Sequence, residues 1–344
     1  MTMKTSRAPF LSFVVLLALW QTPFAIGGED QLFLREKIEK AREVVDLKAK
    51  GMPGFELKGD VQIWLKKEAV SDGKYLFIWT PEGKWKEEIA FNGYTRTRVG
   101  DGRQYWQVRS SEIEFGPVLE LDRLLKVRRE LKIEEGDTLK GLRSENIEGA
   151  SLECIKKTSH SRIARTLCFD PNSGELRWYT PEVASDTVPW RFRGIEYSDY
   201  QPWEGRRFPR RLQGFNGKQK VIDVQFEEIR PLKQTSPEQF TPAKTATSWL
   251  DCGDDEAWKS LHKLQPVYPQ IALERGMEGT VVFYAVIEGD GRVSNLHVLR
   301  SAGSQLDQAA SAAVSQWQYQ RTATCKESAG RTETMIDVMF ERRH

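Results

Sequence analysis

The stretch Gln265-Pro266-Val267-Tyr268-Pro269-Gln270-Ile271-Ala272-Leu273-Glu274-Arg275-Gly276-Met277-Glu278-Gly279 opens the part of the chain whose fold is most legible. Pro269 precedes a short helical run, Gln270–Arg275, and Gly276 stands where a helix needs a residue free to take positive φ. Gly279 then opens an apolar run, Thr280–Ile287, and Glu288-Gly289-Asp290-Gly291 supplies the glycines of a tight hairpin. Val293–Leu299 reads as the return strand. Ser304 with Asp307 three residues on reads as a capping box. Leu306, Ala310, Ala313 and Trp317 follow at i, i+4, i+7 and i+11, a buried helical stripe whose alanines allow close approach to a sheet. Ile336, Val338 and Phe340 alternate through a last strand.

The order helix, hairpin, helix, strand, together with Gln265-Pro266-x-Tyr268-Pro269, Gly276, Gly279, Gly291-x-Val293, Leu306-Asp307-x-Ala309-Ala310, Ala313-Val314 and Trp317-x-Tyr319, resembles the TonB C-terminal domain family. The resemblance implies a domain that binds a short extended peptide of an outer-membrane transporter (a TonB box) by adding it to a sheet edge. It implies a receiving strand over 334–341, with Thr334, Met335, Ile336, Asp337, Val338, Met339 and Phe340 as partner-binding residues, flanked by Gln265 and Tyr268. Pro269, Gly276, Gly279, Gly291, Leu306, Asp307 and Trp317 are expected to serve the fold. The family commonly has Pro shortly after its Trp-x-aromatic pair, and here Arg321 stands there. The family's energy transducers also carry a membrane anchor and a Pro-rich spacer, where this chain has a strand-rich region.

Upstream, residues 231–248 hold three Pro and no strong periodicity and are expected to be a linker, followed by the C-terminal domain over 249–344. Before it lie an amphipathic helix at 31–50 (Leu34, Ile38, Ala41, Val45), a helix at 115–132, and period-two segments at 55–65, 75–80, 85–91, 94–99, 104–108, 152–157, 163–170, 175–180, 190–198, 207–213 and 220–229. Ser71-Asp72-Gly73, Pro81-Glu82-Gly83 and Gly100-Asp101-Gly102 read as the turns between the early strands. The fold class is therefore α+β: a curled antiparallel half-barrel over 29–230, then the small helix–hairpin–helix–strand domain. The layout of 55–240, including Glu87-Glu88-Ile89-Ala90-Phe91, Gly100-Asp101-Gly102 and Tyr105-Trp106, is similar to the LolA-like lipoprotein carriers. This implies an alternative function, a periplasmic lipid or lipoprotein carrier in which the Trp-rich concave face holds an acyl chain.

Residues 1–28 have the three parts of a secretory signal peptide: Lys4 and Arg7, the apolar run Phe10–Trp20, and small residues at Ala25-Ile26-Gly27. The alternative is an uncleaved signal anchor spanning Phe10–Ile26. Either places the rest of the chain in the periplasm or cell envelope. There the four cysteines, Cys154, Cys168, Cys252 and Cys325, are expected as disulfides. Of three connectivities, the hairpin spacing favours Cys154–Cys168 with Cys252–Cys325.

The 344 residues carry 51 Lys+Arg against 49 Asp+Glu, a net +2, without the basic surplus that nucleic-acid binding needs. Four scattered His (160, 262, 297, 344) and no metal-ligand spacing argue against a metal, and Asp254-Asp255-Glu256 reads as a solvated turn. Without a G-x-S-x-G, P-loop or H-E-x-x-H motif the chain is expected to be non-enzymatic and cofactor-free.

Overall fold

The computed structural model describes residues 26–65, 68–114, 116–147, 149–159, 164–181, 192–252, 257–325 and 330–342. The signal segment before residue 26, His160, His344 and Asp254-Asp255-Glu256 lie outside the described residues. Helix α1 (Ile26–Val44) leads into β1 (Phe55–Leu65), β2 (Glu68–Trp79), β3 (Trp85–Phe91), β4 (Tyr94–Gly100) and β5 (Gln104–Arg109). Two helices, α2 (Gly116–Leu124) and α3 (Val127–Glu130), come next. They are followed by β6 (Thr138–Gly141), β7 (Glu145–Ile147), β8 (Ala150–Thr158), β9 (Ala164–Phe169), β10 (Leu176–Thr180), β11 (Gly194–Trp203), β12 (Arg206–Asn216), β13 (Gln219–Phe226), β14 (Arg230–Pro231) and β15 (Thr247–Leu250).

These strands form one antiparallel sheet in the order β15-β5-β4-β3-β2-β1-β13-β12-β11-β10-β9-β8-β6, with β14 beside β1 and β7 beside β8. It is an open, curled sheet. Its inner face is covered by helices. Ile38 and Ala41 of α1 with Val45 just past its end, Val118, Leu121 and Leu124 of α2, and Val127 and Leu131 pack with Phe55, Val61, Leu167, Phe192, Tyr197 and Val224 in one buried core.

Several expectations shift. The helix expected at 115–132 breaks at Lys126, whose ψ of 45° is not helical, and both halves still bury their apolar residues. Ser71-Asp72-Gly73 is no turn but lies inside β2 opposite Ile63, Gln62 and Val61 of β1, and Gly73 is paired on its other side with Phe91 of β3. A Cβ there would meet the Phe91 ring at 2.5 Å, so Gly73 is a close-approach residue. The stretch expected as a linker ends in β15, which pairs with β5 from Thr247↔Gln107 to Leu250↔Gln104. Trp249 and Leu250, expected to open the second domain, therefore belong to the large sheet.

The remaining chain forms β16 (Trp258–His262), α4 (Gln270–Glu274), β17 (Gly279–Ile287), β18 (Val293–Arg300), α5 (Ser304–Val314), β19 (Gln318–Arg321) and β20 (Thr332–Phe340). β17 is the centre of a three-stranded sheet, β18-β17-β20, while β16 and β19 pair separately. Arg321, standing where the family commonly has Pro, keeps an N–H and pairs with Trp258 at the end of β19. One face of the small sheet (Val281, Phe283, Ala285, Ile336, Val338, Phe340) packs on Ala272, Leu306, Ala310, Val314 and Trp317. The hairpin turn requires Gly291: its φ is +84°, and a Cβ would lie 1.9 Å from the Tyr319 carbonyl oxygen.

The expected capping box takes another form. Gly303, not Ser304, is the N-cap of α5, and Asp307 accepts instead from the Ala302 N–H (3.0 Å) and the Ser301 hydroxyl (2.6 Å). Both expected disulfides are formed, Cys154–Cys168 and Cys252–Cys325. The first joins residues directly opposite each other in the β8–β9 ladder. No helix among the described residues is long and apolar enough to cross a membrane.

Candidate functional site

The small sheet has two outer strands, and they differ. β20 pairs with β17 through nine consecutive partners, Gly279↔Phe340 to Ile287↔Thr332, without a register shift. β18 pairs with two shifts, and its Asn295 sits at φ 49°. Bulges twist and blunt an edge, whereas a regular strand leaves a straight row of backbone groups. Among the described residues no strand pairs with the far side of β20.

Two hydrogen bonds fix which backbone groups point to that far side. The Glu288 N–H donates to the Arg292 carbonyl (2.9 Å), so Glu288 turns its backbone towards β18. By alternation Ile287, Ala285, Phe283 and Val281 turn theirs towards β20, where they exchange ladder bonds with Thr332, Thr334, Ile336 and Val338. Independently, the Arg331 carbonyl accepts from the Leu250 N–H (3.0 Å), away from β17. Both observations give the same result. Glu333, Met335, Asp337 and Met339 present their N–H and C=O groups outward.

The expected site residues therefore separate into two sets. Met335, Asp337 and Met339 turn their backbone groups away from β17. Thr334, Ile336, Val338 and Phe340 spend theirs on β17, and the last three bury their side chains beneath the helices. Gln265 is exposed on the segment between β16 and α4. Tyr268 is committed internally: its ring packs edge-on against Phe340 at 5.3 Å and its hydroxyl donates to the Met277 carbonyl. The Trp317 indole N–H donates to the Leu264 carbonyl at 2.8 Å, and Gly276 and Gly291 hold positive φ, so these residues serve the fold.

The sequence reading missed Glu333 and the residues that hold it. Glu333 accepts from Arg109 of β5 and from the Tyr284 hydroxyl (2.5 Å), and Arg109 also donates to Tyr284 (3.1 Å). Burial, then the Glu333 charge, raises the Tyr284 phenol well above its ordinary pKa, so it stays protonated and donates. Arg109 lies 3.6 Å from Glu114, which pairs with the fully buried Arg96 (3.0 Å). Arg96 also binds Glu87 (2.7 Å) and Asp122 (2.5 Å), and Arg98 binds Asp122 (2.7 Å). An apolar cluster of Trp249, Tyr284 and Val286, with Tyr105, Ile113, Leu119 and Leu299, packs beside this network. The second face of the small sheet is thus docked on the first domain. Strand alternation marks Glu333 as sharing a face with Asp337, but no local pattern links it to Arg109, 224 residues away.

These features define a two-domain protein: an open curled antiparallel sheet carrying a small three-stranded sheet whose outer strand β20 is regular along its whole length. Residues 264–341 match the family model for the Gram-negative bacterial TonB protein C-terminal. The segment is 40% identical over 58 residues to protein TonB of Vibrio cholerae, covering 17% of this chain and 24% of that protein. The chain spans about a quarter of the length of the curated relatives it matches. Among solved structures, the TonB C-terminal domain of Pseudomonas aeruginosa is 30% identical, covering 26% of this chain and 93% of that one, with a TM-score of 0.23. A LolA superfamily protein of Nitrosomonas europaea is 13% identical, covering 60% of this chain and 96% of that one, with a TM-score of 0.39.

Proposed function

We propose that this chain is a non-enzymatic cell-envelope protein that binds an extended segment of an envelope or outer-membrane transporter as an added strand on β20. The observation that carries the reading is the regular register of β20 against β17 over nine consecutive partners, which turns the backbones of Glu333, Met335, Asp337 and Met339 away from β17. Main-chain bonds would supply affinity and alternate side chains register. The family model matched by residues 264–341 supports it. The N-terminal signal-like segment and two disulfides support an exported location.

The test is a titration of the purified chain with synthetic peptides from the periplasmic N-terminal segments of outer-membrane transporters. Asp337→Pro removes one outward donor and should weaken binding at least tenfold while the fold is kept. Unchanged affinity in a folded Asp337→Pro variant would remove β20 as the receiving edge. In the carrier alternative an acyl chain would occupy the inner face of the large sheet. That face is filled by Ile38, Leu121, Leu124 and Phe192, all buried. Near-stoichiometric lipid in mass spectra of the purified protein would favour the carrier.

A further inference from the structure

The chain crosses from the large sheet to the small domain in one short step. β15 ends at Leu250, and the Asp251 N–H still donates to the Arg103 carbonyl beside β5 (3.3 Å). Ala257 already belongs to the other side, where its carbonyl accepts from the Thr322 N–H (3.0 Å). Cys252 stands at the start of the step and is bonded to Cys325, whose N–H donates back to the Thr322 carbonyl at 3.2 Å. The crossing is therefore fixed at both ends to the same short piece of the small domain, residues 322–325: covalently at Cys252 and through the backbone at Ala257. Just before Cys252, the Leu250 N–H donates to the Arg331 carbonyl (3.0 Å), and the Arg331 guanidinium lies over the Trp249 ring at 4.6 Å. The bridge thus staples the seam between the two sheets.

The two disulfides differ in access. Cys154 and Cys168 are 2% and 0% exposed, inside the β8–β9 ladder. Cys325 is 3% exposed, whereas Cys252 is partly open to solvent. Thiol–disulfide exchange requires a thiolate to reach one sulfur of the bond. Of the four cysteines, Cys252 alone offers such a sulfur.

We infer that Cys252–Cys325 is a thiol-exchange site at the domain seam, opened by a dithiol reductant that attacks Cys252. A bond forms between the reductant's thiolate and the Cys252 sulfur as the Cys252–Cys325 bond breaks. Cys325 leaves as a thiolate and takes a proton from water. The reductant's second thiolate then displaces Cys252, which is protonated in turn, and closes the reductant's own disulfide. Two electrons pass from reductant to bridge, leaving two thiols on the protein. The buried Cys154–Cys168 bridge stays intact, so the first domain keeps its fold while the seam loosens. The site does not depend on strand addition at β20.

The test treats the full-length oxidised chain with dithiothreitol under native conditions, with samples trapped at intervals by iodoacetamide in denaturant and mapped by mass spectrometry. Cys252 and Cys325 should be labelled together, roughly tenfold or more faster than Cys154 and Cys168. Hydrogen exchange should show the Leu250 amide exchanging about tenfold faster once the bridge is open, with the β8 and β9 amides unchanged. The double variant Cys252→Ser, Cys325→Ser should show the fast Leu250 exchange without reductant.

Labelling of Cys154 and Cys168 first, or of all four cysteines at one rate, would overturn the site. A Leu250 amide that exchanges equally fast before and after reduction would overturn the staple. Faster exchange throughout β8 and β9 would mean that reduction unfolds the chain instead of loosening the seam, and would overturn it as well. If the double variant does not fold, the wild-type reduction series decides both points.

Discussion

Arg109 of β5 and Glu333 of β20 are hydrogen-bonded across the boundary between the two sheets, with the Tyr284 hydroxyl bound to both. Three first-domain arginines (Arg96, Arg98, Arg109) face three carboxylates of their own domain (Glu87, Glu114, Asp122), and Glu333 is the fourth carboxylate of the group. A buried carboxylate is tolerated only where cations and donors meet it. Strand β20 is therefore held through its Glu333 side chain by the domain behind it.

Removing Arg109 should expose that dependence. Arg109→Met leaves Glu333 buried with Tyr284 as its remaining close donor and should cost about 3 kcal/mol in urea unfolding. Glu333→Gln, which keeps the shape, should cost less, about 1–2 kcal/mol. The double variant should cost clearly less than the sum of the two, because each single change strands the other group. Strict additivity would show that the pair is not energetically joined.

Pro substitution along β20 should alternate in effect. At Met335 or Asp337 the lost N–H points away from the β17 ladder, so the loss in urea midpoint should be clearly the smaller while peptide binding falls at least tenfold. At Ile336 or Val338 the lost N–H belongs to the β17 ladder and an apolar side chain leaves the core, a cost of about 3 kcal/mol or more. Circular dichroism in urea separates the two sets. Equal destabilisation at all four positions would contradict the assigned backbone directions.

Acid should weaken the network in a definite direction. Burial pushes the Asp122 carboxyl pKa up, but the charges of Arg96 and Arg98 outweigh it and hold the group well below the ordinary carboxylate range. With the folded pKa below the unfolded value of about 3.9, Asp122 stabilises the fold above pH ~4. That contribution is lost as pH falls through the folded pKa. Arg96→Met should therefore be most destabilising near neutrality, and its unfolding curve should approach that of the wild type as the pH drops below about 4. A gap that widens in acid would refute this assignment.

The two disulfides should differ in worth. Cys252–Cys325 closes a sequence separation of 73 residues and Cys154–Cys168 one of 14. The chain-entropy relation gives about 4 and about 3 kcal/mol respectively. Selective reduction of each, read by thermal unfolding, should lower the midpoint more for the longer loop. The opposite order would mean that strain or residual structure in the reduced chain dominates.

The sequence by itself determined what local period and chemistry determine. The apolar run at 280–287, the alternation in 336–340, the stripe Leu306–Trp317 and the glycines at 276 and 291 specify the small domain, because side-chain period and φ are set within a few residues. The hairpin spacing likewise brought Cys154 opposite Cys168. Turn chemistry misled at Ser71-Asp72-Gly73, where pairing on both sides and the Phe91 ring use the glycine for closeness instead. Only the tertiary structure decided that β15 joins the large sheet, that Glu333 meets Arg109, and that Met335, Asp337 and Met339 turn their backbones outward. Period two tells which side chains share a face, but the direction of a strand's N–H groups depends on which neighbour lies on which side. That neighbour is chosen by packing between residues far apart in the chain.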